Sequence, residues 1–133
     1  MLSSNTMLCA EGIVRDVESN NISIFNVLEE VSSTTFPIYF QRFFVFAAAG
    51  KSGDDSGKPI CNLDVRLNGD LLLSLPFTLD FQGKPRTKTI ISIGGLVVPT
   101  SGILRTAFVC DQQEINSCEI AVKRIEGLSS AVQ

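Results

Sequence analysis

Residues 61–75 read Cys-Asn-Leu-Asp-Val-Arg-Leu-Asn-Gly-Asp-Leu-Leu-Leu-Ser-Leu. Cys61, Leu63, Val65 and Leu67 alternate with Asn62, Asp64, Arg66 and Asn68, the period of two that turns one strand face to a core and the other to water. Asn68-Gly69 is a hairpin turn signal, because both residues accept the positive φ that a tight turn demands. A two-residue loop sets Leu67 against Asp70 and Val65 against Leu72. A three-residue loop sets Leu67, Val65 and Leu63 against Leu71, Leu73 and Leu75, which keeps the apolar faces together and is the register the sequence favours.

The same period extends outward in both directions, with breakers about every 8–12 residues, as in an antiparallel sandwich or barrel. Eight strands are expected: about 6–15, 22–28, 36–48, 61–67, a fifth running past Pro76 to about Phe81, then 87–93, 102–110 and 117–125. Pro76 implies an edge position or a bulge, and Gly94-Gly95 ends the sixth strand. Residues 26–32 read equally as strand or as one helical turn. In the final hairpin, Cys110 is set against Cys118, Phe108 against Ile120 and Thr106 against Val122. The fold class is therefore all-β, one antiparallel two-sheet sandwich, Ig-like or jelly-roll-like, with seven to nine strands. Its core spans about 6–126 of the 133 residues, and 127–133 form a flexible tail.

Five of the nine Phe lie on the third strand, at 36, 40, 43, 44 and 46. Simple alternation gives it one face of Ile38, Phe40, Phe44 and Phe46, and another of Tyr39, Phe43, Val45 and Ala47. A strand apolar on both faces must be central or be covered by another subunit. Tyr39, Phe43 and Val45 are the candidate partner-binding residues on this reading, and a mean hydropathy of +0.25 agrees with it.

Residues 50–59, Gly-Lys-Ser-Gly-Asp-Asp-Ser-Gly-Lys-Pro, form the clearest loop. Lys51, Asp54, Asp55 and Lys58 are candidate ligand-loop residues, together with the 82–86 connection. Lys84, Arg86 and Lys88 recur at period two and so share one side. They form either a solvated strand edge that resists aggregation or a small anion-binding patch.

Composition excludes more than it suggests. There is no His, so no imidazole base or metal ligand is available. A net charge of −3 argues against a nucleic-acid partner held by phosphate neutralisation. Gly50-Lys51-Ser52 resembles the end of a phosphate-binding loop, but Val45 stands where the motif needs Gly and no helix follows. Asp54-Asp55 lacks the spacing of a calcium loop, and Glu29-Glu30 point apart on a strand rather than forming a glycosidase pair.

Cys9, Cys61, Cys110 and Cys118 include no C-x-x-C pair, so core packing outweighs zinc. No metal and no cofactor is expected. Residues 1–12 lack the basic and apolar regions of a secretory signal. The longest apolar run, 43–49, is seven residues, against roughly 20 for a membrane-spanning helix. A cytoplasmic, non-membrane protein with reduced thiols is the resulting expectation.

The order of landmarks resembles a family of small prokaryotic and phage-associated β-sandwich proteins with no established activity. The resemblance rests on Leu8-Cys9-Ala10, the polar turn before Ile22-Ser23-Ile24-Phe25-Asn26-Val27, and Phe36-Pro37 before a long apolar strand. It continues through Val65-Arg66-Leu67-Asn68-Gly69 and through Leu96, Pro99 and Gly102, covering about 6–126. It implies the sandwich and transfers no functional residue. Two functions follow from the residues themselves. The first is a non-catalytic interaction or assembly module, binding a protein partner or a second copy through an apolar face. The alternative is a small-ligand or carbohydrate-binding sandwich using the loops at one end.

Overall fold

The structure, a computed structural model, describes residues 2–52 and 59–126. Asp54, Asp55, Lys58 and the expected tail at 127–133 lie outside the described residues. Nine strands are present among the described residues: β1 (Leu2–Arg15), β2 (Ile22–Val27), β3 (Glu30–Ser33), β4 (Ile38–Lys51), β5 (Ile60–Leu67), β6 (Asp70–Thr78), β7 (Arg86–Val98), β8 (Gly102–Cys110) and β9 (Gln113–Arg124). They form a four-stranded sheet, β2-β1-β4-β7, and a five-stranded sheet, β3-β9-β8-β5-β6. This is the all-β sandwich the alternation predicts. The segment with two readings, 26–32, contributes no helix. It ends β2 and opens β3, which runs parallel to β9 with Val31 opposite Val122, so one pairing departs from the antiparallel expectation. Ala121 N donates to Glu29 O at 2.9 Å at the head of this pairing.

The β5–β6 hairpin reconciles the two registers weighed from sequence. Its loop has two residues, Asn68 (φ 51°) and Gly69 (φ 91°), and Leu67 is opposite Asp70. A bulge between Val65 and Arg66 then moves the pairing by one, so that Val65 meets Leu73 and Leu63 meets Leu75. The turn takes the conformation Asn-Gly favours, and the bulge restores the apolar face. Pro76 sits on β6, an edge strand, where its missing N–H costs no ladder bond. The Asn68 side chain also fixes the start of β8, accepting from Ile103 N at 3.1 Å and donating to Ser101 O at 3.2 Å.

Simple alternation fails on β4. Its register with β7 is continuous, from Ile38 opposite Val98 to Gly50 opposite Arg86, but the inward side switches part-way. Ile38 and Phe40 pack on the core, Gln41 and Arg42 are both exposed, and Phe43, Val45 and Ala47 are buried. β7 switches at the same level, with Ile93 inward before Gly94-Gly95, and Leu96 and Val98 inward after it. Gly95 makes this possible: its φ of +70° is a conformation that side chains with a Cβ rarely adopt. β7 therefore runs through Gly94-Gly95 rather than ending there. Of the candidate partner-binding residues, Phe43 and Val45 are fully buried between the sheets and only Tyr39 is exposed, at 64%.

The last hairpin is also re-registered. Asp111 and Gln112 both have positive φ and form a two-residue turn. β9 therefore starts at Gln113, Thr106 meets Cys118, and Leu104 meets Ile120. Cys110 does not face Cys118. It lies opposite Cys61 on the other neighbouring strand, β5, and the two form a disulfide with a Cα separation of 4.5 Å. This corrects the expectation of four reduced thiols; only Cys9 and Cys118 are free. β8 has two neighbours in the sheet, and the hairpin reading considered one.

The core divides in two. The larger cluster joins Cys9, Phe43, Val45 and Ile93 of one sheet to Leu63, Val65, Leu104 and Ile120 of the other. The smaller contains the disulfide with Ala47, Ala49, Leu79, Phe81 and Phe108, and it underlies the site described next.

Candidate functional site

The site begins with the β1–β2 turn. The Asp16 carboxylate accepts from Ser19 Oγ at 2.6 Å and from the backbone N of Glu18 and Ser19, each at 3.4 Å. The Ser19 hydroxyl first, then these amides, hold Asp16 below the usual carboxylate range. Asn20 takes a φ of 63°, and Arg15 Nη1 donates to Asn20 Oδ1 at 3.1 Å. A self-contained tip thus presents Arg15 and Asn20 as a unit.

The second wall is the β6–β7 connection. Gln82 N donates to Asp80 Oδ1 at 3.0 Å, Lys84 N to Phe81 O at 2.9 Å, and Thr87 Oγ1 to Asp80 O at 3.0 Å. Gln82 and Gly83 both have positive φ, which turns the chain so that Lys84, Arg86 and Lys88 follow one another into β7. Lys51 N, at the end of β4, donates to Pro85 O at 2.9 Å.

Between these walls lies a groove of about 650 Å³, within the range of small-ligand sites. Arg15 and Asn20 line it together with Ser3, Ser4 and Asn5, with Ala48 to Gly50, and with Arg86 to Thr89. Arg15 and Ser3 are the far ends of one strand and would stand roughly 40 Å apart if it ran straight. β1 is therefore bent, which brings the tip of the β1–β2 hairpin back towards the strand's own first residues. Ala10 and Phe46, which alternate outward relative to the buried Cys9 and Val45, are themselves buried. On the hairpin, Ile13, Ile22 and Ile24 share one half-buried face while Val14 and Phe25 are exposed on the other.

The groove's electrostatics oppose those of the chain. Four cationic side chains, Arg15, Lys84, Arg86 and Lys88, line it against one carboxylate, Asp80, among the described residues, although the net charge is −3. Lys84, Arg86 and Lys88 have no carboxylate within 4.0 Å among the described residues. These four cations are all exposed to solvent, and like charges gathered along one concave surface raise a positive potential there. The apolar side chains of the wall, Leu79 and Phe81, are 1% and 3% exposed, so no open ring is offered for stacking.

The sequence-derived candidates divide accordingly. Lys84, Arg86 and Lys88 line the same groove, and Arg86 and Lys88 lie on β7, an edge strand, as the solvated-edge reading requires. Lys51 is half-buried beside the groove, its Nζ 5.1 Å from the centre of the Phe81 ring. Arg15 and Asn20 were not legible as site residues, because only the bend in β1 brings them into the groove that β7 also lines. No group of three or more His, Cys, Asp or Glu that could hold a metal occurs among the described residues. No described helix is long and apolar enough to cross a membrane.

Comparison with known proteins yields a likeness of fold. No family model matches the chain, and no curated protein does. Among solved structures, a β-glucosidase from Listeria innocua in complex with glucose aligns over 96% of this chain with a TM-score of 0.50 and 9% identity. The same enzyme with isofagomine aligns with a TM-score of 0.48 and 9% identity, also over 96% of this chain. In both, the match covers 16% of the enzyme chain. At that identity the likeness concerns the sandwich alone.

Proposed function

We propose that this chain is a non-catalytic binding module whose groove takes a small anionic ligand, with an acidic saccharide as the best-fitting class. The observation that carries this is the convergence of Arg15, Lys84, Arg86 and Lys88 on one groove of a net acidic chain. Ser3, Ser4, Asn5, Asn20, Gln82 and Thr89 supply donors and acceptors suited to hydroxyl groups. The cations suit a carboxylate or sulfate, and Arg offers the bidentate geometry that such oxyanions accept. The Cys61–Cys110 disulfide supports an oxidising compartment over the cytoplasm expected from the sequence.

The test is calorimetric titration with a uronate-containing or sulfated disaccharide, beside its neutral counterpart. The acidic sugar is expected to bind, with affinity falling as salt rises, and the neutral one not. Replacing both Arg86 and Lys88 by Glu is expected to weaken binding by about tenfold or more, roughly 1.4 kcal/mol, with the thermal midpoint little changed. Equal binding of the neutral sugar, or unchanged affinity in the variant, would rule the reading out.

A second reading, self-association, rests on a different surface. Val14, Phe25 and Val27 are 55%, 52% and 48% exposed along the β1–β2 hairpin, and Tyr39 lies opposite Val97, 64% and 48% exposed. A face of this kind buries most simply against its own copy. Light scattering across a dilution series is expected to show dimer dissociating to monomer, and Phe25→Asp to give monomer throughout. A monomer at every concentration in the unaltered chain would remove this reading and leave the groove untouched.

A further inference from the structure

Two cysteines take no part in the groove or the disulfide. Cys9 lies on β1 in one sheet and Cys118 on β9 in the other, and their sulfur atoms meet 3.3 Å apart between the sheets. Thr106, the fully buried polar side chain of the core, places its Oγ1 2.8 Å from Cys118 Sγ and 3.6 Å from Cys9 Sγ. The hydroxyl therefore holds both sulfur atoms in register. A disulfide needs them at about 2.05 Å, so closure asks the two sulfur atoms to approach by about 1.2 Å.

We propose that Cys9 and Cys118 are the site of a second, reversible disulfide that ties the two sheets together, formed by exchange with a small-molecule disulfide such as glutathione disulfide. The two thiols differ in access: Cys9 is 2% exposed, while Cys118 is half-buried. They also differ in acidity. The contact with Cys118, and after it burial, push the Cys9 thiol up, whereas the hydrogen bond from Cys9 holds Cys118 down. Cys118 is thus the attacking thiolate. It attacks one sulfur of glutathione disulfide, expels one glutathione thiolate and becomes a mixed disulfide. Cys9 then gives up its proton and displaces the second glutathione. The protein loses two electrons and two protons, and glutathione disulfide becomes two thiols. Surroundings oxidising enough to maintain Cys61–Cys110 supply an oxidant of this class.

The bond would close a span from residue 9 to residue 118, constraining most of the unfolded chain. The experiment uses the full chain with Cys61–Cys110 intact, incubated with glutathione disulfide, then alkylated in denaturant and weighed. The two alkylatable thiols are expected to fall to none, with loss of two hydrogens, a linked peptide containing Cys9 and Cys118, and a thermal midpoint higher by roughly 10 °C. Cys9→Ala is expected to stop at one glutathione held on Cys118. Two thiols still alkylated, glutathione retained on the unaltered chain, or cross-links from Cys9 or Cys118 to Cys61 or Cys110 would each overturn the proposal. The unaltered chain decides it even where the variant does not fold.

Discussion

Phe43→Ala is expected to lower the free energy of unfolding by about 3–5 kcal/mol, the range for deleting a buried aromatic ring from a packed core. Phe43 is 0% exposed and lies opposite Ile93 on β7. Its ring meets Phe40 edge to face, with centroids 5.4 Å apart. Removing it leaves a cavity bordered by both sheets, which a central strand cannot move to fill. The informative control is Tyr39→Ala. Under simple alternation Tyr39 and Phe43 share a face and their losses would be alike. With the inward side switching at Gln41-Arg42, the exposed Tyr39 is expected to cost about 0.5 kcal/mol or less. Chemical denaturation of both variants reads this directly, and comparable losses at the two positions would refute the switch.

Removing the disulfide is the second large effect. Replacing both Cys61 and Cys110 by Ala is expected to cost about 2–4 kcal/mol, because the bond closes a span of 49 residues and restricts the unfolded chain. Reducing the unaltered chain should shift its denaturation midpoint as far as the double substitution does, while the substituted chain should respond little to reductant. A double variant as stable as the unaltered, oxidised chain would show that the bond contributes nothing. Ala49, Leu79 and Phe81 share the disulfide's cluster and also line the groove, so groove affinity is expected to fall along with stability.

Much of the sandwich was legible because alternation is local. On β5, the residues Cys61, Leu63, Val65 and Leu67 are all buried as their spacing required. Asn68-Gly69 turned the chain where expected, and Pro76 marked an edge. The misreadings have two causes. At Gln41-Arg42 the strand changed its inward side without changing register, a choice made jointly with Gly95 on the neighbouring strand. The length of β9 depended on Asp111 and Gln112 both accepting positive φ, which neither residue type signals as strongly as Asn-Gly does.

The site was legible in half. Lys84, Arg86 and Lys88 are close in sequence, and their spacing alone grouped them on one side. Arg15, the fourth cation, and Cys61, the partner of Cys110, have no local signal connecting them to their neighbours in space. By itself, then, the sequence determined the strands, most of their inward faces and the chemistry absent without His. Tertiary structure decided the pairings between distant strands, and with them the disulfide, the Cys9–Cys118 contact and the groove. The physical reason is that a strand's period records only which side is buried. Its neighbour is chosen by the packing of whole sheets, and that choice sets an arginine from the first hairpin in the same groove as Arg86 and Lys88 of the seventh strand.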